Sequence, residues 1–425
     1  MRKIEASILT ILNLLIYLLL PLSSCKQSTE ATQGKFSGVS LSEEQKKRLQ
    51  SFTITDDQPT EIVIKDFDQT LSSNIITDVS YVKLETTAES IIGEVSKIIV
   101  QDDRIYIMDS FVSNNLFVFS INGKFIAKIK DFGEGPNEIK QVYDFYIDSK
   151  NQEVVVFDGL QSRLVSYDYK LIPKGQKKLY FRFSNMRLMP GGKLLLHVDA
   201  ENTHIPEIDR YNVLLLDSSL NIIRKGFQLS KEEEKNNFTL LDHLHQSDEK
   251  SVVWVPKFKN SVFSITDDGN VQKRFVLDFK KREVPSEYYT RSRGDFREIV
   301  KDRHLYYYEG CYEENSNTIF FLISTHFIRD YIFVFFDKTI QNYIYGKIKM
   351  DNINLPFWSF PITSYKDKFV SFIEPQYIES IKKGKVTGYT IPNELKSMSN
   401  VTEEGDNPII QFYKITTTRN EESAL

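Results

Sequence analysis

Only two cysteines, Cys25 and Cys311, occur in the 425 residues. One pair allows a single disulfide at most, which excludes a small disulfide-stapled scaffold. Alanine is nearly as scarce: Ala6, Ala31, Ala88, Ala127, Ala200 and Ala424 are all there are. A chain that avoids the best helix former is not built mainly of helices. The 18 glycines are too few for collagen-like or glycine-rich low-complexity sequence. An excess of charge of one sign is missing too. Against 54 Lys and Arg stand 58 Asp and Glu, a net of −4, so neither a basic nucleic-acid footprint nor an acidic tail-like chain fits. What is plentiful is aromatic, with 30 Phe and 22 Tyr. Such residues suit pleated strands, and an all-β domain is expected.

The N-terminus carries an address. A short basic start, Met1-Arg2-Lys3, precedes the apolar run Ile8 to Leu20. As a helix that run spans only ~20 Å, short of the ~30 Å hydrocarbon core, so it is not a permanent membrane span. Leu22-Ser23-Ser24-Cys25 follows at once. Small residues ahead of a Cys in this position resemble the lipobox of bacterial lipoproteins. The resemblance implies that residues 1–24 are a signal peptide, that Cys25 becomes the acylated N-terminus, and that the protein sits in the cell envelope, anchored to the outer membrane. Ser24 stands where Gly or Ala is commoner, which keeps the slot small. Several acyl chains hold a protein stably where one would not. With Cys25 acylated, Cys311 has no partner for an intramolecular disulfide, and its aromatic neighbourhood, YYYEGCYEEN, reads as core. Residues 25–58 are polar and read as a flexible tether. Within them, Ser42-Glu43-Glu44-Gln45 has the form of a helix cap.

The remainder repeats. Five segments share one plan: a β-rich run, a polar connection, a second β-rich run, and a turn. The second runs close on Phe119, Tyr167, Leu216, Ile265 and Phe336, at intervals of 48, 49, 49 and 71 residues. Asn122-Gly123, Asp168-Tyr169-Lys170, Asp217-Ser218-Ser219 and Asp267-Asp268-Gly269 punctuate the ends as hairpin turns. A period near 50 with several short strands per unit is the mark of a β-propeller, one four-stranded blade per repeat. The long fourth interval places an insertion between Lys280 and Lys301.

Several stretches decide the blade number. They are DVSYVKLETT from Asp78, the GEGPNEI loop at 133–139, and NPIIQFYKI at 407–415. Together they resemble the six-bladed β-propeller lipoproteins of Bacteroidota, a family similar to NHL-type propellers. The resemblance implies a six-bladed ring over residues 59–416, with a disordered tail at 417–425, and transfers no functional residue except Cys25. Strands from both chain ends, Val79–Leu84 and Ile409–Ile415, are expected to complete the last blade beside runs near Trp358–Ile362 and Phe369–Ile373.

Chemistry is sparsely signalled. Gly133-Glu134-Gly135-Pro136 lacks the Lys-Ser/Thr of a phosphate loop and reads as a turn between blades one and two. His243 and His245, with Asp242 nearby, would share a face of a strand, yet no third metal ligand is nominated. Asp267-Asp268-Gly269-Asn270 has no bidentate Glu to make a calcium loop. No cofactor or nucleic-acid partner is expected. The insertion offers Tyr288, Tyr289, Arg291 and Arg293, types favoured at recognition sites, as candidate ligand contacts; the alternative is that the two tyrosines pack a short helix on a blade edge. The expected function is a non-catalytic module binding a glycan, a peptide or an envelope protein. The alternatives are a lactonase-like hydrolase with a metal in the central channel and a structural subunit of an envelope complex. Carboxylates converging at one channel mouth would favour the hydrolase.

Overall fold

The computed structural model describes residues 36, 39–55, 57–198, 202–230, 242–247, 251–256, 259–324, 331–348, 360–386 and 391–417. Cys25 and the signal-like run lie outside them, as does Trp358. Six antiparallel sheets form the six blades of a propeller. From the inside outwards, blade 1 is Lys97–Gln101, Arg104–Asp109, Asn115–Ser120 and Phe125–Lys128. Blade 2 is Asp144–Asp148, Glu153–Asp158, Arg163–Tyr167 and Pro173–Lys178. Blade 3 is Asn185–Leu188, Leu194–His197, Tyr211–Leu216 and Ile222–Gln228. Blade 4 is Leu244–Gln246, Ser251–Trp254, Ser261–Thr266 and Asn270–Asp278. Blade 5 is Tyr307–Glu314, Thr318–Ser324, Ile332–Asp337 and Asn342–Ile348. Blade 6 joins both ends of the chain: Thr363–Tyr365, Lys368–Ile373, the C-terminal Ile409–Ile415, and Ile76–Lys83 outermost.

The second and third strands are near-continuous apolar runs because each buries both faces. In Arg104–Asp109, Ile105 and Ile107 pack towards blade 6 while Tyr106 and Met108 pack towards blade 2. In Glu153–Asp158, Val154 and Val156 face blade 1, and Val155 and Phe157 face blade 3. Six such clusters fill the six seams of the ring. The turns fall where expected. Gly123 and Gly269 take φ of 84° and 81°, which side chains with a Cβ rarely adopt. Asp168 and Asp217 each accept two backbone N–H bonds across their turns, at 2.8–2.9 Å.

The alternation of turns gives the ring two faces. Blade-to-blade connections and the turns between second and third strands share one, here called upper; the other turns share the lower. The insertion leaves from the upper face as a short helical subdomain, with helix α2 (Arg293–Asp302) over its own small core. Two further helices, α3 (Pro375–Lys382) and α4 (Asn393–Asn400), lie in the upper connection of blade 6.

One expectation needs correction. Residues 39–58, read as part of a flexible tether, belong largely to the folded body. Helix α1 (Glu43–Arg48) closes a capping box with Ser42 and Gln45. The chain then belts blades 3 to 5. Gln50–Ser51, Thr53–Ile54, Thr60–Val63 and Thr70–Leu71 each add a parallel outer strand. Phe52, Ile62, Ile64, Phe67 and Leu71 are buried there. The belt covers edges that would otherwise be open for pairing. Among the described residues blade 2 has no such cover. Its outer strand, PKGQKK, carries proline and lysines, which discourage a further strand.

Candidate functional site

The inner strands surround a cavity of about 770 Å³, to which all six blades contribute. These strands are less apolar than the second and third because one edge faces the channel rather than another strand. Around it, charges of opposite sign alternate from blade to blade. Lys97 of blade 1 pairs with Asp144 of blade 2. Asp144 also accepts backbone N–H bonds from Phe145 and from Met186 of blade 3, both at 2.8 Å. Arg187 of blade 3 pairs with Asp242 beside blade 4. His245 of blade 4 stands 3.7 Å from the Glu313 carboxylate of blade 5. Burial lowers the pKa of the Lys97 ammonium, and the Arg187 charge lowers it further. Burial would raise Asp242, but the charges of Arg187, Lys97 and His245 outweigh it and hold the carboxyl well below its ordinary value. Glu313 is raised, chiefly by burial.

One polar atom in this ring is left over. His245 is 7% exposed, lines the cavity, and its Nε2 has no hydrogen-bond partner among the described residues. Tyr312 stands beside it, ring centroids 5.5 Å apart, and further aromatic surface comes from Tyr146, Tyr307 and Phe372. The inner strand of blade 5 bulges between Tyr308 and Tyr312, with Gly310 at φ 85°, and this brings Cys311 to the channel wall, partly exposed.

His243 and His245 do not share a face. His243 precedes the regular strand, so alternation does not govern it. Its ring stacks on His197 with centroids 3.6 Å apart, and its Nδ1 lies 2.7 Å from the Val255 carbonyl. Among the described residues no group of three or more His, Cys, Asp or Glu is placed to hold a metal ion. The channel carboxylates are spread around the ring on separate cations rather than converging at one mouth. Asp267 and Asp268 sit in a hairpin turn as expected. The Gly133–Pro136 loop is likewise in a blade connection; Gly135 N–H bonds Glu138 Oε2 at 2.7 Å, and Arg163 donates to the Gly135 and Glu138 carbonyls.

The insertion reaches the channel with residues other than those expected. Phe296 and Arg297 of α2 line its upper end. Tyr289 is buried against Phe296, ring centroids 5.5 Å apart, within a core of Val284, Val300 and Leu305. Tyr288 accepts a hydrogen bond from Arg303 at 2.5 Å, and Arg291 is exposed. Arg293 opens α2, and its side chain is outside the described residues. Sequence reasoning missed Lys97, Asp144, Arg187 and Glu313. Their signal was a charged residue in the weak run ahead of each strong one.

Residues 59–414 match the family described as Domain of unknown function (DUF4934). The chain belongs to that family. No curated protein matches. Among solved structures, the family's fold is shared with a protein from Bacteroides fragilis NCTC 9343 described as exported. The TM-score is 0.68 at 19% identity, over 84% of this chain and 100% of that one. A DUF4221 member from Bacteroides vulgatus aligns at TM-score 0.46 and 10% identity, covering 81% and 98%. Virginiamycin B lyase from Staphylococcus aureus aligns at TM-score 0.37 and 13% identity, covering 64% and 74%. These last two overlap too loosely to bear on function.

Proposed function

We propose that the protein is an exported, lipid-anchored propeller that binds a small polar ligand, the end of a glycan, in its central channel. The observation that carries this reading is the cavity of about 770 Å³ enclosed by the inner strands, walled by alternating charges with His245 among its lining residues. Sites for small ligands are commonly ~300–1,000 Å³, with a few polar groups fixing orientation. Ring faces of Tyr146 and Tyr307 suit stacking on a sugar, and the paired charges offer both donors and acceptors to hydroxyls. In this reading Tyr288 and Tyr289 act indirectly: they hold α2 through Arg303 and Phe296, and α2 presents Phe296 and Arg297 to the upper mouth. Export and anchoring rest on the Leu22–Cys25 sequence, and export alone accords with the description of the B. fragilis protein.

A glycan and peptide array on the domain, followed by His245→Phe, tests the site. Loss of an array signal in the variant with an unchanged melting temperature supports it. Peptide hits alone, or a glycan signal indifferent to His245, would contradict it. Cys25→Ser should abolish labelling by a fatty-acid probe and release the protein from membranes.

A further inference from the structure

Apolar side chains that the fold leaves outside are gathered on the upper face. Twelve large apolar residues are exposed among the described ones. Eight stand in upper-face connections; Ile172 and Ile340 occupy lower turns, and Ile54 and Ile126 outer strands. Those that matter most are Ile91, Phe111, Val112, Phe132, Tyr180 and Val401, each 41–66% exposed. Most stand on loops that are joined to one another. Val112 lies over Gly93, where an added Cβ would be 2.3 Å from its Cγ1. Asn114 donates to the Lys140 carbonyl and accepts from Val142 N–H, both at 2.9 Å. Gln161 donates to the Gly133 carbonyl at 3.2 Å. Asn407 bonds the Glu85 and Ser90 carbonyls at 2.9 and 2.8 Å, drawing the Val401 connection to that of Ile91. Exposed apolar side chains gathered on one face in this way mark an interaction surface.

The path of the chain says which surface it meets. Phe36 stacks on His204, centroids 5.0 Å apart, and His204 Nε2 lies 2.7 Å from the Tyr180 carbonyl. Both partners are in upper-face connections, so the chain joins the body at the rim of the apolar face. Phe36 lies eleven residue steps after Cys25. Fully extended, they reach no more than ~36–40 Å. An acyl anchor on Cys25 therefore keeps the rim of this face within ~36–40 Å of the bilayer.

We infer that the upper face docks on the lipid surface that holds the anchor, with Phe111, Val112 and Phe132 entering the interface and Tyr180 at its margin. This rests on the anchored reading above. Docking fixes the orientation of the ring and leaves the lower mouth of the channel, near Gln101, Ser247 and Lys366, as the entrance for ligand.

Vesicle sedimentation tests the face apart from the anchor. Residues 25–425 carrying Cys25→Ser, with no acyl chain to contribute, are mixed with phosphatidylethanolamine–phosphatidylglycerol vesicles. The protein is expected to partition onto them. Phe111→Ser with Val112→Ser should lower the partition coefficient at least ~tenfold, while Ile172→Ser with Ile340→Ser on the lower face changes it less than ~twofold. All four side chains are exposed, so melting temperatures should not move. Should the upper pair nevertheless lose stability, Phe132→Lys on a separate connection gives the same test. No partitioning of the parent chain, or equal losses from both faces, would overturn the inference. Fatty-acid labelling of the unaltered chain reads Cys25 alone, so either result leaves the anchor question separately answered.

Discussion

Removing the carboxylate of Glu314 leaves two cations unpaired in the seam between blades 4 and 5 while its apolar packing stays in place. Glu314 ends the inner strand of blade 5 and its side chain is fully buried. It accepts from Arg274 Nη1 and Nη2 at 2.6 and 2.9 Å, Lys338 Nζ at 2.7 Å, the Tyr312 hydroxyl at 2.6 Å and the Ser247 hydroxyl at 3.0 Å. Arg274 and Lys338 side chains are only 12% and 14% exposed, so neither cation can be rescued by water when the carboxylate is gone. Breaking a buried pair from one side costs ~3–5 kcal/mol. A ring of this size, at ~2.1 cal/mol/K per residue, unfolds with an entropy near ~0.8 kcal/mol/K, so Glu314→Ala should melt ~4–6 °C below the parent. Calorimetry or circular dichroism reads that difference directly. Replacing Glu314, Arg274 and Lys338 together by Met should recover most of the loss, because no charge is then left unpaired. A Glu314→Ala protein melting within about 1 °C of the parent would refute the reasoning.

Ending the chain at Asn407 removes Ile409–Ile415 from between its two neighbours in blade 6, and near-UV circular dichroism should show that the ring no longer closes; an unchanged spectrum and melt would count against closure. Ile62→Ala, at a fully buried belt position, should cost ~2–5 kcal/mol in a urea titration, whereas a tether residue would cost nothing measurable. Burial holds Glu313 above its ordinary 4.5, so the folded protein keeps a proton there that the unfolded chain has lost. Stability from this group is therefore present below pH 4.5 and lost as pH rises through the folded value, and Glu313→Gln should flatten that decline in urea midpoints measured across the range. Asp242 has the opposite sign: its contribution is present above pH 3.8 and lost as pH falls, so Asp242→Asn should lower stability at neutral pH.

The blades were legible because their second and third strands bury both faces, leaving runs such as VVVFD and LFVFS that recur with the ring's own period. The hairpin turns were legible because Asn122-Gly123 and Asp268-Gly269 need backbone conformations few other residues accept. The belt was not. Between Gln50 and Asp57 only Phe52 and Ile54 are apolar, and the strands they pair with lie in blades far along the chain. The channel was hidden for a related reason. Lys97, Asp144, Arg187 and Glu313 look like ordinary solvated charges until ring closure turns their strand edges inwards. His243 misled because alternation was applied one residue ahead of the strand that begins at Leu244.

Cys311 offers the most direct test that the channel is the ligand site. It lines the channel wall and is partly exposed, and in a chain carrying Cys25→Ser it is the only thiol. Its rate of alkylation by iodoacetamide can be followed with and without a saturating glycan taken from the array. A channel ligand that buries most of its own surface should slow the reaction at least ~tenfold. An unchanged rate at saturation would place binding outside the channel and contradict the account.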